Sequence, residues 1–512
     1  MKSGSSLYEA FRRKIEIVVE RLLKGAKPAK FLDDKVIRDA VFGFNVFLKH
    51  EINLIDSPLL QRLRRIHQTA LGVLTYPSST HTRFEHSLGC TVIADRMMRA
   101  INDKHPQTPQ IDPVQRAEVR LAALLHDCGH GPFSHASESV YGNAPYDIPG
   151  VQQEEKDLFG TANPHEMIAY CIVKSQAFRD FWQKVVEKYE PQVDSLACDL
   201  RRINLDNVAT MILGGKAQNY PQYLSQIVNG PFDADKFDYI IRDGYFSGLV
   251  TAIDVERLFI SLDYAPFSQH GYTKYPEDIL CIDVGGATVL EQIQFNKMLL
   301  FSSFYHHHKV RAAFRLLVHL LEQLRGDRVP VRDAQLDEAP NFLLLDDYDL
   351  LNADAASWPE PAKKLLADLR NRNLPKRALV IPKDGLLDLD SRAEFFKLRD
   401  DPSLRGSMES RIASRAGGTQ PVFVDCPEEP TFGRTGLHSL VKLGPGRFVP
   451  LDSLYPIAGW VSGYAEYRYR SYVFSPSGEE EKVKNAALHA FEDAGINLDG
   501  RLCSELAKLP PS

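Results

Sequence analysis

Apolar residues recur at three- and four-residue spacing from the start of the chain to about position 330, the period of helices packed by one face. The stretch 7–24 (LYEAFRRKIEIVVERLLK) puts Ile15, Val18, Val19 and Leu22 on one stripe and predicts an amphipathic helix. A Lys- and Pro-containing break at 25–31 sets it apart from the body. Long periodic segments follow at 115–127, 165–190 and 287–325, divided by short Gly, Pro and Asn punctuation. Few strands are expected in this part, the clearest at 278–284. Beyond position 330 the segments shorten, and Pro, Asp and Arg become frequent. Strand-like runs at 377–382, 421–425, 447–451 and 467–474 lie among helical runs at 359–371 and 479–494, with a mobile loop expected at 402–420. The pattern predicts a mainly α protein: an N-terminal helix and linker (1–32), an all-helical core (33–330) and a smaller α+β C-terminal lobe (331–512) suited to oligomerisation or regulation. It holds no internal repeat, coiled coil or low-complexity tract.

At 512 residues the chain exceeds what one core holds, in line with that division. Hydrophobic residues at 44% and charged residues at 25% are those of a soluble, well-packed protein. A net charge of -6 argues against a general nucleic-acid-coating role, which needs a basic excess, and leaves room for a local basic pocket. The seven cysteines are scattered and odd in number, without a Cys-x-x-Cys pair, as in reduced cytosolic proteins. The N-terminus runs into a charged amphipathic stretch with no apolar signal core, and no apolar run approaches the ~18 residues of a membrane span. A soluble, cytoplasmic protein is expected.

Chemistry gathers at 119–135, VRLAALLHDCGHGPFSH. An apolar helix ends there in His126 and Asp127, which project about 100° apart and can both reach one ion at the helix end. Imidazole nitrogen with carboxylate oxygen suits a divalent ion such as Fe, Mn, Zn, Ni or Mg. His130 shares the face of His126; Gly129, Gly131 and Pro132 stop the helix, and Ser134 is placed to cap the next, with His135 in its first turn. The competing reading is a polar helix terminus whose histidines cap carbonyls, but buried ionisable groups without partners are costly. Two further segments complete a site. In TRFEHS, His86 opens a helical stretch. In 233–243, with Asp233 as N-cap, Asp235, Tyr239 and Asp243 form a polar stripe opposite Phe237, Ile240 and Ile241. A solvated surface helix is the alternative there.

The order His86, His126-Asp127, Asp235 resembles the H…HD…D pattern of HD-domain phosphohydrolases. The strings TRFEHS, LLHDCGHGPFSH, PHE (164–166) and DADKFDYIIRD are similar to those of the HD-type deoxynucleoside triphosphate triphosphohydrolases. That family has animal members that couple a sterile-alpha-motif domain to the HD domain, and bacterial members acting on dGTP. The likeness covers about 33–320 and continues weakly at 366–374 and 470–495; too few residues precede it for a sterile-alpha-motif domain. It implies hydrolysis of deoxynucleoside triphosphates to deoxynucleoside and inorganic triphosphate, with water attacking the α-phosphorus, one tightly held divalent ion and additional Mg on the triphosphate. His86, His126, Asp127 and Asp235 would be the metal ligands, and Arg83 and Lys236 the phosphate contacts. His130, His135 and His165 match acid–base and orienting histidines, with Glu138 and Glu166 placed to tune them. Asn163-Pro164-His165-Glu166 also reads as an N-cap, a Pro at N1 and a capping-box Glu, which gives Glu166 a structural alternative. Tyr239, Asp243 and Gln68 match residues that touch the sugar.

Register against His308-Lys309-Val310 puts His306 where the family has a sugar-contacting tyrosine, with Tyr305 one position off, and Met298 in place of a phosphate-binding arginine. Preference for deoxy- over ribonucleotides is therefore left open. Asp56, Gln61 and Arg64 match residues that read guanine at an effector site between subunits, and Lys35 matches a phosphate contact there; an amphipathic helix with ordinary surface arginines is the alternative, and Arg38 replaces a family asparagine. The resemblance also implies a homo-oligomer (dimer, tetramer or hexamer), and 141–162 is expected to be a lid or an oligomer contact. Beside the triphosphohydrolase stand an HD-type phosphomonoesterase, a ribonucleotide hydrolase, and a non-catalytic nucleotide sensor.

Overall fold

A computed structural model describes residues 6–31, 33–107, 111–189, 193–271, 277–418, 421–428 and 439–509, apart from the side chains of 458, 460 and 465. The first helix, Leu7–Leu23, is opened by Ser6, whose Oγ accepts from the Glu9 N–H (3.1 Å). Phe11, Ile15, Val18 and Val19 are buried in the main core, where the helix packs on Pro164–Lys174 and Gln176–Glu187. The 141–162 segment holds two short helices, Ile148–Glu154 and Lys156–Phe159. It is tied to the first helix by Lys14 on Asp147 (2.7 Å), by the Tyr8 N–H on Glu154 (2.8 Å) and by the Tyr8 and Phe159 rings.

Three helices set the frame of the site. Arg83–Lys104 and Pro113–Leu125 lie side by side, and Ala234–Ser247 crosses the first. Gly89 makes that crossing possible, because a Cβ there would sit 1.8 Å from Asp238 Oδ1. Arg120 is 3% exposed and pairs with Glu51 through two bonds of 2.6 and 2.7 Å, with Asp95 at 3.2 Å. Helix Pro113–Leu125 is thereby joined to both Lys49–Ile55 and Arg83–Lys104.

Several expected elements are divided or displaced. The 165–190 segment is two helices, because Ser175 leaves the helical region and caps the second through its Oγ on the Phe178 N–H (3.2 Å). The 287–325 segment is Ala287–Leu300 and His308–Gly326, joined by a π turn at Phe301–Tyr305. A hairpin, Lys35–Asp39 with Gly43–Phe47, stands where only helix was expected, and Gly43 supplies its left-handed residue (φ +72°). The 402–420 loop is instead a helix, Pro402–Arg415, capped by Asp401 on the Ser403 and Leu404 N–H groups and anchored by buried Met408 and Ile412; 419 and 420 lie outside the described residues.

The expected strand at 278–284 is Ile279–Asp283. It belongs to a four-stranded sheet ordered Leu262–Ala265, Ile279–Asp283, Leu440–Gly444, Arg447–Pro450, and pairs parallel with Leu440–Gly444. A second sheet centres on Arg470–Ser475 between Lys376–Pro382 and Phe423–Asp425. Its central strand starts later than expected because 467 and 468 finish the helix Ile457–Arg468. The architecture is mainly α, with a smaller mixed region towards the C-terminal end. All seven cysteines are buried and free, and no helix among the described residues is long and apolar enough to cross a membrane.

Arg120→Ala leaves the Glu51 carboxylate buried without its partner, a change that costs about 3–5 kcal/mol. The expected outcome is a lower midpoint in urea unfolding followed by circular dichroism.

Candidate functional site

Helix Pro113–Leu125 starts under Asp112, which accepts from the Val114 and Gln115 N–H groups, and delivers His126 and Asp127 at its apolar end. The chain then turns tightly, and Gly129 lets it press on the start of Pro164–Lys174: a Cβ there would lie 2.0 Å from the His165 carbonyl oxygen. His86 sits one turn into Arg83–Lys104, whose capping box joins Thr82 and Glu85. Asp235 lies in the first turn of Ala234–Ser247 under the Asp233 cap.

Both imidazoles are aimed. His86 donates from Nδ1 to Asp238 (2.7 Å), and Asp238 is held in turn by Arg242. His126 donates from Nδ1 to the Ala123 carbonyl (2.8 Å). Each Nε2 is thus the nitrogen turned towards the cluster, as a metal ligand needs. His86 Nε2 lies 3.1 Å from Asp235 and 3.4 Å from Asp127, and His126 Nε2 lies 3.4 Å from Asp127 and 3.9 Å from Asp235. His126 Nε2 is buried and has no hydrogen-bond partner. Two nitrogens and two carboxylates converging in this way fit a divalent cation. Cys90, one turn beyond His86, brings its Sγ into the same cluster, 3.6 Å from the His86 ring nitrogens. Burial pushes that thiol above its usual range. Its i+4 spacing from His86 was the only sign of it in the chain.

Asp127 joins this cluster to a second one. Burial works against its ionisation, but Arg83, His126 and His130 outweigh that and hold its carboxyl well below the usual range. Arg83, 3% exposed, donates to Asp127 (2.6 Å) and to Ser134 Oγ (3.0 Å). His130 Nε2 approaches Asp127 at 3.4 Å, and its ring stacks on that of His165 at 3.9 Å. Glu138 accepts from His135 Nδ1 (2.5 Å) and His165 Nδ1 (2.7 Å). Burial opposes protonation of His165, and Glu138 more than offsets it, raising the imidazole to about 9; burial with Arg83 and His165 drives His130 the other way. Phe133 and Ser134, just ahead of His135, both adopt left-handed backbone (φ 57° and 56°), which costs on the order of 1–3 kcal/mol per residue.

The structure departs from expectation on the sugar side. Asp243 accepts from His81 Nε2 (2.7 Å) and from the Tyr305 hydroxyl. Tyr305, not His306, therefore faces Asp243. His306 lies towards Arg311 and Asp425, where burial and the arginine lower it to about 3, and its carbonyl accepts from Tyr472. The physical reason is the π turn, whose His306 N–H bonds back to Phe301 (2.8 Å) and takes up one extra residue. Met298 and His306 share the spacing of Lys297 and Tyr305, so one shift of register moves both. Lys297 is the basic residue near the site: burial and neighbouring Lys236 depress it to about 8, while Asp233 and Asp235 pull it back up. Lys236 itself reaches Asp233 and the Gly230 carbonyl. Tyr239 lies within electrostatic reach of Asp235, Asp233 and Asp243. Gln68 is buried, with its N–H on the His81 carbonyl and its side-chain oxygen unpartnered.

Glu166 caps its helix, its oxygens accepting from the Asn163 N–H (2.6 Å) and from Asn229 (2.9 Å), and its charge also helps to raise His165. The four effector-site candidates form two pairs: Lys35 meets Asp56 (3.3 Å), and Arg64 donates to Gln61 (2.9 Å) while stacking on Phe84.

Paired histidine–aspartate ligands at the ends of antiparallel helices define an HD-type site, and the HD domain model matches residues 83–212, with the HD associated region at 253–495. The chain belongs to the HD-domain phosphohydrolase family, which includes the deoxynucleoside triphosphate triphosphohydrolases. It is similar to an uncharacterized protein of Methanocaldococcus jannaschii, 26% identical over 461 residues, covering 90% of this chain and 82% of the relative. It is also similar to the deoxynucleoside triphosphate triphosphohydrolase SAMHD1 homolog of Dictyostelium discoideum, 26% identical over 67% of this chain and 59% of the relative. The human SAMHD1 is 29% identical over 44% of this chain and 35% of its own length. The matches thus span about a third to three-fifths of these two named enzymes.

Asp238→Asn should free the His86 ring and weaken divalent-metal binding about 10–100-fold, measured by competition with a chelator of known affinity.

Proposed function

We propose that this protein hydrolyses deoxynucleoside triphosphates to deoxynucleoside and inorganic triphosphate. The observation that carries the reading is the meeting, at Asp127, of a His86/His126/Asp235 cluster with the His130/His135/His165 group around Glu138. His86, His126, Asp127 and Asp235 hold the cation, which when bound supplies Lewis-acid stabilisation of charge developing at phosphorus. Arg83, Lys236 and Lys297 ring the site with the positive charge that a triphosphate tail requires. Water adds to the α-phosphorus, the bond to the 5′-oxygen breaks, and a proton passes to that oxygen. The histidines fastened to Glu138 supply it, because their Nδ1 bonds turn each Nε2 away from the carboxylate. His81, Asp243, Tyr305, Tyr239 and Gln68 form the sugar wall, and a hydroxyl pinned on Asp243 closes the space beside it.

The candidate effector residues are Lys35 on the hairpin, Asp56 at the end of Lys49–Ile55, Gln61 in the helix Pro58–Gln61 and Arg64 in the 3-10 turn after it. An effector nucleotide there, and a homo-oligomer that forms the site, belong to the same reading. Activity that appears only in mixtures of nucleotides would support it, and full activity on single nucleotides would remove it.

The decisive test is product identification for a panel of dNTPs and NTPs with several divalent metals. Inorganic triphosphate is expected; orthophosphate or pyrophosphate as the first product would sink the reading. Asp127→Ala should abolish turnover in folded protein. Lys297→Ala should lower kcat/KM by about 10–100-fold, the value of one hydrogen bond to a charged group. Tyr305→Phe should raise KM for dNTPs, whereas His306→Ala should leave it unchanged.

A further inference from the structure

We propose that Asp347, outside the HD motif strings, is a positioning residue for the phosphate-cleaving site. Its carboxylate holds the turn before His135 and the 66–68 segment, which pairs with 81–83, in register with each other. The inference rests on the hydrolase reading above. Asp347 is 0% exposed and begins the short helix Asp347–Leu351. That helix is capped by Asp346, which accepts from the Tyr348 and Asp349 N–H groups (3.0 Å each), so the Asp347 carboxylate is not spent on its own helix. One oxygen accepts from the Phe133 N–H (2.5 Å). The other accepts from the His67 N–H (2.9 Å) and from His67 Nδ1 (2.7 Å).

Each arm leads to Arg83. On one side, Phe133 and Ser134 hold a left-handed conformation that L residues rarely adopt and that persists only where the surroundings enforce it. Ser134 Oγ accepts from the Arg83 guanidinium, the group that also donates to Asp127, and the next residue is His135. On the other side, 66–68 runs antiparallel to 81–83. The Arg83 N–H bonds to the Ile66 carbonyl (2.9 Å), the Gln68 N–H bonds to the His81 carbonyl (3.0 Å), and His67 pairs with Thr82. Arg83 is therefore gripped by side chain and by backbone, and both grips trace to one carboxylate. Sealed beneath these segments, Asp347 acts through them.

The test uses the intact protein and compares Asp347→Asn, Ser134→Ala and the double variant, with kcat, KM and bound metal measured for each on a dNTP that the wild type hydrolyses. Asn keeps the shape but puts a donor where an acceptor stood. D347N should lower kcat about 10–100-fold, the scale of a small misplacement of reacting groups, with KM and metal content unchanged. The double variant should lose less than the product of the two single losses, because the two changes share the turn at 133–134. Losses that multiply, an unaffected D347N, or a fall in bound metal with kcat per bound ion unchanged would each overturn the proposal. If D347N does not fold, Asp347→Glu, which keeps the charge and lengthens its reach, goes through the same cycle with the same expectations. A wild type that turns over no nucleotide sinks the hydrolase reading and this inference together. An active wild type with a silent Asp347 sinks this inference alone.

Discussion

A single carboxylate, Asp127, is the meeting point of the site. It is 1% exposed at the end of an apolar helix, where an isolated negative charge would be expelled or neutralised. Arg83 pairs with it and keeps it ionised, and three imidazoles approach it at 3.4 Å. These partners come from the start of helix Arg83–Lys104, from the end of Pro113–Leu125 and from the turn that follows it. The chain can satisfy Asp127 only by bringing these segments together, so the charge that serves the chemistry also selects the local fold. Glycines at 89 and 129 permit the approaches this needs, since a methyl at either would collide with a partner helix.

The surrounding electrostatics divide the site by task. On the cation side, Asp238 and the Ala123 carbonyl engage Nδ1 of His86 and His126 and turn each Nε2 towards two carboxylates. On the other side of Asp127, Glu138 gathers His135 and His165, while burial and Arg83 hold neighbouring His130 well below its usual range. Stacked rings of opposite preference, His130 and His165, lie 3.9 Å apart, so one pair of like residues holds and withholds a proton by environment alone.

The legible part of the chain was the part written locally. His126-Asp127 at an apolar helix end, the Asp233 cap with its polar stripe, and the helical period of 7–24 are short-range signals, and the structure has those elements where the spacing puts them. The rest was set at longer range. The π turn at Phe301–Tyr305 adds one residue without disturbing the apolar pattern, so periodicity could not choose between Tyr305 and His306, or between Lys297 and Met298. The hairpin at 35–47 is too short and too exposed for its alternation to stand out against helix. The loop expected at 402–420 is a helix because Asp401 caps it and a second small core receives Met408 and Ile412. Asp347 lies 214 positions from Phe133, its partner, and nothing local marks the contact.

The parallel pairing of Ile279–Asp283 with Leu440–Gly444 has a consequence for how the protein is made. During synthesis the first of these strands can pair with Leu262–Ala265 on one side at once, but its other edge must wait for the second. At about 5–20 residues per second that interval is on the order of ten seconds or more. Throughout it, an apolar Ile-Leu-Cys-Ile edge stays open to any passing strand. Biogenesis is therefore a stage at which this chain is exposed to unwanted strand pairing.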